Sequence, residues 1–308
     1  MTVTESAVED ALGPLFLLIL LGTLLRWRRW PGADFWPRLE RLIYFLLFPA
    51  MLLATLATTD VSRLPVARMA LALLGAMIVF ACLLWALRRR IEPEGAGFTS
   101  VFQGSLRFNT YVGVAGAAAL HGNAGATAAA VAVALMVPVV NVLCVTSFVA
   151  AGTLGTASIR KSLGALARNP LILACLLGIA LNLSGLGLPG WSEETVSLLG
   201  RAALPLGLVA VGVALRPATL LRLDRSVWVA NLTKLLLMPA LVLGLATLFE
   251  LDPVSRDVAL LFAALPTATS AYILSRQLGG DAELMAALIT GQTLLAMLTL
   301  PLWLMLAG

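Results

Sequence analysis

An all-α integral membrane protein of ten transmembrane helices, built as two inverted five-helix repeats, is the fold class this 308-residue sequence predicts. Three observations lead there. The chain is 60% hydrophobic and only 12% charged, where a soluble domain carries about a quarter charged residues. Apolar windows of roughly 20 residues, enough for a helix to cross about 30 Å of hydrocarbon, recur along its whole length. The first half also matches the second at a nearly constant offset.

Ten such windows are expected, at about 8–26, 36–57, 65–87, 97–120, 124–151, 168–187, 193–215, 226–249, 256–277 and 282–307. The connections between them are too short for a soluble catalytic or signalling module. The start of the chain carries Glu5, Glu9 and Asp10 where a secretory leader would be basic, so the first window reads as a spanning helix. Cys82, Cys144 and Cys175 sit within apolar windows at spacings that suit neither metal nor redox chemistry, and no cofactor or metal is expected.

The basic residues give an orientation. Fifteen fall in the connections after spans one, three, five, seven and nine, among them Arg26, Arg88, Arg160, Lys161, Arg216, Arg222 and Arg276. Four, Arg63, Arg68, Arg201 and Arg256, fall on the other side. Both termini are therefore expected outside a cytoplasmic (inner) membrane. This distribution also accounts for the net charge of +5 without a nucleic-acid partner. Arg107 and Lys234, the remaining two of the 21 basic residues, lie inside spans.

Pro14, Gly22 and Pro49 align with Pro170, Gly178 and Pro205, and LHGNAG (120–125) aligns with LGGDAE (278–283). The repeats are then residues 1–154 and 155–308, and five spans in each require the second to be inverted. Transporters on this plan place the substrate near the midplane, between interrupted helices. At the matching positions, Phe108-Asn109-Thr110-Tyr111 lies over Pro266-Thr267-Ala268-Thr269. Asn109 is a good N-cap, and Pro266 is expected at the first position of a new half-helix. At about 1.5 Å per residue both breaks lie roughly 15 to 18 Å deep, from opposite sides.

Two half-helix N-termini meeting in hydrocarbon favour an anion. Charges at that depth mark functional candidates, so Arg107 and Lys234 join the list, and no mid-span carboxylate offsets them. For each, a structural reading stands beside the functional one: pairing with helix carbonyls or reaching the inner face, or, for Lys234, contacting the broken ends without touching substrate. Asn141 is read either as a site residue facing Asn109 or as an interhelical hydrogen-bond partner. Thr290, Gln292, Thr293 and Thr299 read first as packing residues of span ten, and His121 as a turn residue. An intramembrane hydrolase would pair Ser105 with His121. Sixteen residues of continuous helix separate them by roughly 24 Å, beyond proton transfer, so no enzyme is expected.

The stretches SLRFNTYVGVAGAAALHGNAG, PLGLVAVGVAL and LPTATSAYILSRQLGGDAELMAALITGQTLLAMLTLPLW resemble the bacterial members of the auxin efflux carrier family, relatives of the plant PIN-formed transporters. The resemblance implies crossed fourth and ninth spans that bind an organic anion, with Asn109 matching the asparagine that contacts the substrate carboxylate. It implies a dimerising scaffold of spans one, two, six and seven, with a homodimer expected through spans two and seven. Spans three to five and eight to ten would move as an elevator. Two departures stand out: Phe108 replaces a crossover proline, and the third span lacks the acidic residue of the plant transporters. The expected function is secondary transport of small mono- or dicarboxylates. A sodium-coupled symporter resembling the bile-acid carriers is the alternative. The expected substrate site comprises Arg107, Asn109, Thr110, Tyr111, Asn141, Lys234, Pro266, Thr267, Ala268 and Thr269.

Overall fold

A computed structural model describes residues 5–32, 34–58, 64–153, 168–221 and 224–307, and every regular element among them is helical. The repeat boundary near 154 and Arg63, Arg160, Lys161 and Arg222 lie outside these residues. The principal helices are α1 (Glu5–Trp27), α2 (Phe35–Thr58), α3 (Val66–Ala86), α4 (Gly95–Leu106), α5 (Thr110–Ala150) and α6 (Pro170–Leu183). They continue as α7 (Gly190–Ala214), α8 (Arg225–Leu248), α9 (Pro253–Ala264), α10 (Ser270–Leu278) and α11 (Ala282–Ala307).

Seven helical stretches among the described residues are long and apolar enough to cross a membrane. One of them, Gly95–Ala150, spans 56 residues and covers the expected fourth and fifth spans. It is interrupted between α4 and α5 and kinked at His121 and Gly122, where Gly122 adopts a φ of 57°. The expected sixth span appears as α6, an apolar helix of 14 residues. The expected ninth is divided into α9 and α10, of 12 and 9 residues, each too short to cross alone.

Helices α1, α2, α6 and α7 pack on one another, α1 along α7 and α2 along both α6 and α7. Glycine permits the first contact: a Cβ on Gly22 would run into the Val209 carbonyl, and one on Gly212 into the Ile19 carbonyl. Thr23 Oγ1 donates to Gly212 O (3.2 Å) and Arg26 Nη1 to Val213 O (2.7 Å). The remaining helices form a second group, in which α9 lies against α5, α8 and α11, and α3 against α5 and α8.

Among the described residues two helices contain a π turn, at Ile43–Leu47 in α2 and Thr233–Leu237 in α8. Each turn is followed within two residues by a proline, Pro49 or Pro239. Proline lacks the N–H that would bond the carbonyl four residues back and its ring collides with that carbonyl, so the helix widens locally. In α8 that carbonyl belongs to Leu235, and it accepts instead from Trp303 Nε1 at 2.8 Å. The turns carry Tyr44 and Lys234.

Candidate substrate site

The fourth-span interruption runs from Arg107 to Asn109. Arg107 is extended (φ −70°, ψ 153°), as is Asn109 (φ −83°, ψ 98°). Asn109 caps α5 as expected: the N–H groups of Tyr111 and Val112 donate to its Oδ1 at 3.2 and 3.3 Å. The break therefore survives the replacement of proline by Phe108. Arg107 is the first residue of the break.

In the ninth span, α9 ends at Ala264 and α10 begins at Ser270. Pro266 does not open the second half-helix, contrary to expectation. It sits in the non-helical connection between α9 and α10, where its carbonyl accepts from the Asn109 N–H at 2.8 Å and ties the two breaks together. Thr267 is wholly buried and its N–H donates to Gln292 Oε1 at 2.9 Å. Thr267 Oγ1 lies 2.7 Å from both Gln292 Oε1 and Gly104 O, and Gln292 Nε2 donates to Gly104 O at 2.9 Å. Gln292 of α11 thus joins the end of α4 to the ninth-span connection.

A cavity of about 120 Å³ lies where these segments meet. Arg107, Phe108, Asn109, Thr110 and Tyr111 line one side, with Val137, Val140 and Asn141 of α5 and Ala268, Thr269 and Ser270 at the start of α10. Tyr44 and Phe48 of α2, and Asn169 and Leu171 at the start of α6, close the other side. Asn169 Oδ1 accepts from the N–H groups of Leu171 and Ile172 at 2.9 and 3.4 Å. Three helix N-termini, those of α5, α6 and α10, therefore open on one cavity, and their dipoles add positive potential to it. Among the described residues its lining contains no acidic side chain.

Arg107 Nη2 donates to Asn141 Oδ1 at 2.9 Å, so Asn141 both faces the cavity and holds the arginine across the helices. Arg107 Nη1 and Asn109 Nδ2 are buried donors without a hydrogen-bond partner among the described residues. Buried donors left unpaired are costly, and an acceptor in the cavity would relieve both. Tyr111 stacks edge-on against Phe48 (4.9 Å between centroids), and a Cβ on Gly207 of α7 would come within 2.9 Å of its ring.

Of the expected site residues, Arg107, Asn109, Thr110, Tyr111, Asn141, Ala268 and Thr269 meet at the cavity. Pro266 and Thr267 lie behind it as connectors. Lys234 is elsewhere: fully buried on the α8 π turn, with its Nζ 6.0 Å from the centroid of Phe108 and no carboxylate within 4 Å among the described residues. Tyr44, Phe48, Asn169, Leu171 and Ser270 were not anticipated as site residues, and Gln292 was expected only to pack. Pro49 marks the turn that carries Tyr44, and Asn169-Pro170 is a helix-start signature, but neither signal reveals what the side chain faces. His121 faces Asp257, with its Nε2 3.1 Å from Oδ2, and does not approach the cavity lining. Cys82 is exposed, whereas Cys144 and Cys175 are buried.

A family profile described as "Membrane transport protein" matches residues 154–304. A protein of Rhizobium meliloti (strain 1021) named "Putative malonate transporter" is 30% identical over 93% of this chain and 91% of its own length. An "Uncharacterized transporter" of Methanothermobacter thermautotrophicus is 24% identical over 94% of this chain and 95% of its own. These matches, with the apolar helices, identify a multi-pass membrane transporter rather than an enzyme. The chain belongs to the auxin efflux carrier family.

Proposed function

We propose that this chain is a secondary transporter of small organic anions, mono- or dicarboxylates, and that the cavity at the two helix breaks is its substrate site. The observation that carries this reading is the pair of buried donors without a partner among the described residues, Arg107 Nη1 and Asn109 Nδ2, on two residues that line a cavity with no acidic side chain among the described residues. A carboxylate supplies the acceptors and the charge that the site lacks. The name of the Rhizobium meliloti relative points to the same class of substrate.

The mechanism we infer is alternating access of the elevator type, on a ten-span, twice-repeated plan with both termini outside the inner membrane. Spans one, two, six and seven (α1, α2, α6 and α7) form the scaffold, which dimerises through spans two and seven. The pairing of α1 with α7 and of α2 with α6 supports the repeat, because an inverted duplication exchanges those two contacts. Cavity walls drawn from both helix groups support movement of one group against the other with substrate held between them.

Thermal unfolding of the purified protein with malonate, malate and lactate tests the site. A ligand that binds only the folded state raises the midpoint by mass action. The expected result is a rise with at least one of these acids that disappears in Asn109→Ala. An equal rise in both proteins places binding elsewhere, and no rise with any acid removes the organic-anion reading.

A further inference from the structure

We propose that the cation accompanying the anion is a proton, carried on the amine of Lys234, and that sodium takes no part. This rests on the anion reading of the cavity. Lys234 is buried to 1% exposure, and its side chain is walled by Leu73 and Met77 of α3, Leu106 of α4, Met136 of α5, Met238 of its own helix and Ala263 of α9. None of these titrates.

Charged groups on the elements around it are directed elsewhere. Arg225 and Glu283, at the first turns of α8 and α11, are exposed. Arg256 and Asp257 of α9 pair with each other, and His121 of α5 joins Asp257. Arg68 at the start of α3 lies against Glu250, beyond the end of α8. The charged side chain nearest in sequence to this pocket is Arg107, one residue past Leu106, and it faces the cavity.

Two features mark the Lys234 pocket as a seat for a cation. Leu106 is the last residue of α4 and Ala263 lies in the last turn of α9, so the pocket adjoins the C-terminal, negative ends of both half-helices. In crossed-helix transporters the coupling ion is held by such ends. Here a lysine already occupies that place, which leaves a proton on its nitrogen lone pair as the exchangeable cation. Phe108 connects the two sites, its ring facing Lys234 Nζ and also walling the cavity.

An ammonium in this apolar pocket has no carboxylate partner among the described residues, so an anion beyond Phe108 is its source of counter-charge. Anion binding therefore favours proton uptake, and by reciprocity the proton favours the anion. Charge balance sharpens the argument. Arg107 offsets one negative charge, so a monocarboxylate leaves nothing for Lys234 to neutralise, whereas a dicarboxylate leaves one.

The test is calorimetric titration of malonate and of lactate into the protein in lipid nanodiscs, in buffers of different ionisation heat, with sodium or choline as the salt cation. About one proton is expected to enter with each malonate and almost none with lactate. The malonate Kd should rise by up to about tenfold per pH unit where the amine loses its proton, and should be the same in sodium and choline. Lys234→Met should bind malonate more weakly, with no proton uptake. Lys234→Arg, which stays charged, should bind it with no uptake and no pH dependence.

Proton uptake that persists in both variants, malonate binding by the parent protein without uptake, or a Kd that collapses without sodium overturns the proposal. Failure of the parent protein to bind either acid overturns the anion reading itself, and this inference with it.

Discussion

The two helix breaks meet at the same point of the molecule, yet the fourth-span break keeps spare side-chain donors, the open side, whereas the Pro266–Thr267 segment of the ninth is tied within the protein, the closed side. At the fourth-span break, Asn109 spends its oxygen on the α5 cap and leaves its amide nitrogen unpaired, while Arg107 leaves Nη1 unpaired. In the ninth-span connection, the Thr267 N–H and hydroxyl and the Pro266 carbonyl all have partners within the protein. The lesson is a division of labour. A break whose polar groups are satisfied internally can hold its shape without ligand, and a break with spare donors is tolerable only beside something that accepts from them.

The closed side should show the largest effect on stability. Gln292→Leu removes the acceptor of the Thr267 N–H and leaves that buried donor unpaired at a cost of about 1–3 kcal/mol, while Thr267 Oγ1 keeps the Gly104 carbonyl as its partner. Thermal unfolding without ligand should reveal the loss. An unchanged midpoint would show that this cross-tie does not hold the breaks together.

The open side should respond in binding. Asn109→Asp retains an oxygen to cap α5 but replaces the free Nδ2 donor with a second carboxylate oxygen. Affinity for malonate should fall by about 30-fold, roughly 2 kcal/mol, the size of a lost hydrogen bond to a charged group. Stability without ligand should change little. A loss of stability without a loss of affinity would reverse the roles assigned to the two breaks.

Arg107→Gln should weaken malonate binding by about tenfold, equivalent to about 1.4 kcal/mol. It should also reduce the salt dependence of the Kd, because a charge has been removed from the site. Equal salt dependence in the two proteins would assign Arg107 to structure alone.

The smallest effect is expected at Pro266→Ala. The contact to the Asn109 N–H comes from the carbonyl of residue 266, which alanine keeps. Both the unfolding midpoint and the malonate Kd should shift by less than about 1 kcal/mol, since residue 266 lies outside both helices and the change acts chiefly on unfolded-chain entropy. A large shift would mean that the ring itself, rather than its carbonyl, sets the geometry of the crossing.

Much of this could be read from the chain. Asn109 announced its cap because a short polar side chain ahead of an apolar run can do little else in hydrocarbon. Arg107 was conspicuous because charge is rare at that position in a span. Proline in the ninth span marked a break but not its limits. The new helix begins at Ser270, and the Thr267 N–H ahead of it is taken by Gln292, a residue 25 positions away. Lys234 was conspicuous for the same reason as Arg107, yet it belongs to a different pocket. A π turn ahead of Pro239 carries it, and Phe108 stands between it and the cavity.

Composition and periodicity by themselves determined a membrane protein of apolar helices, with interruptions near Asn109 and Pro266, because hydrocarbon thickness and unmet backbone hydrogen bonds are local constraints. Only the tertiary structure decided which donors remain unpaired, that Asn169 and Tyr44 complete the cavity wall, and that Gln292 closes one break while the other stays open. Those outcomes depend on which side chains from distant helices come within 3 Å of one another, and such distances are set by how whole helices pack.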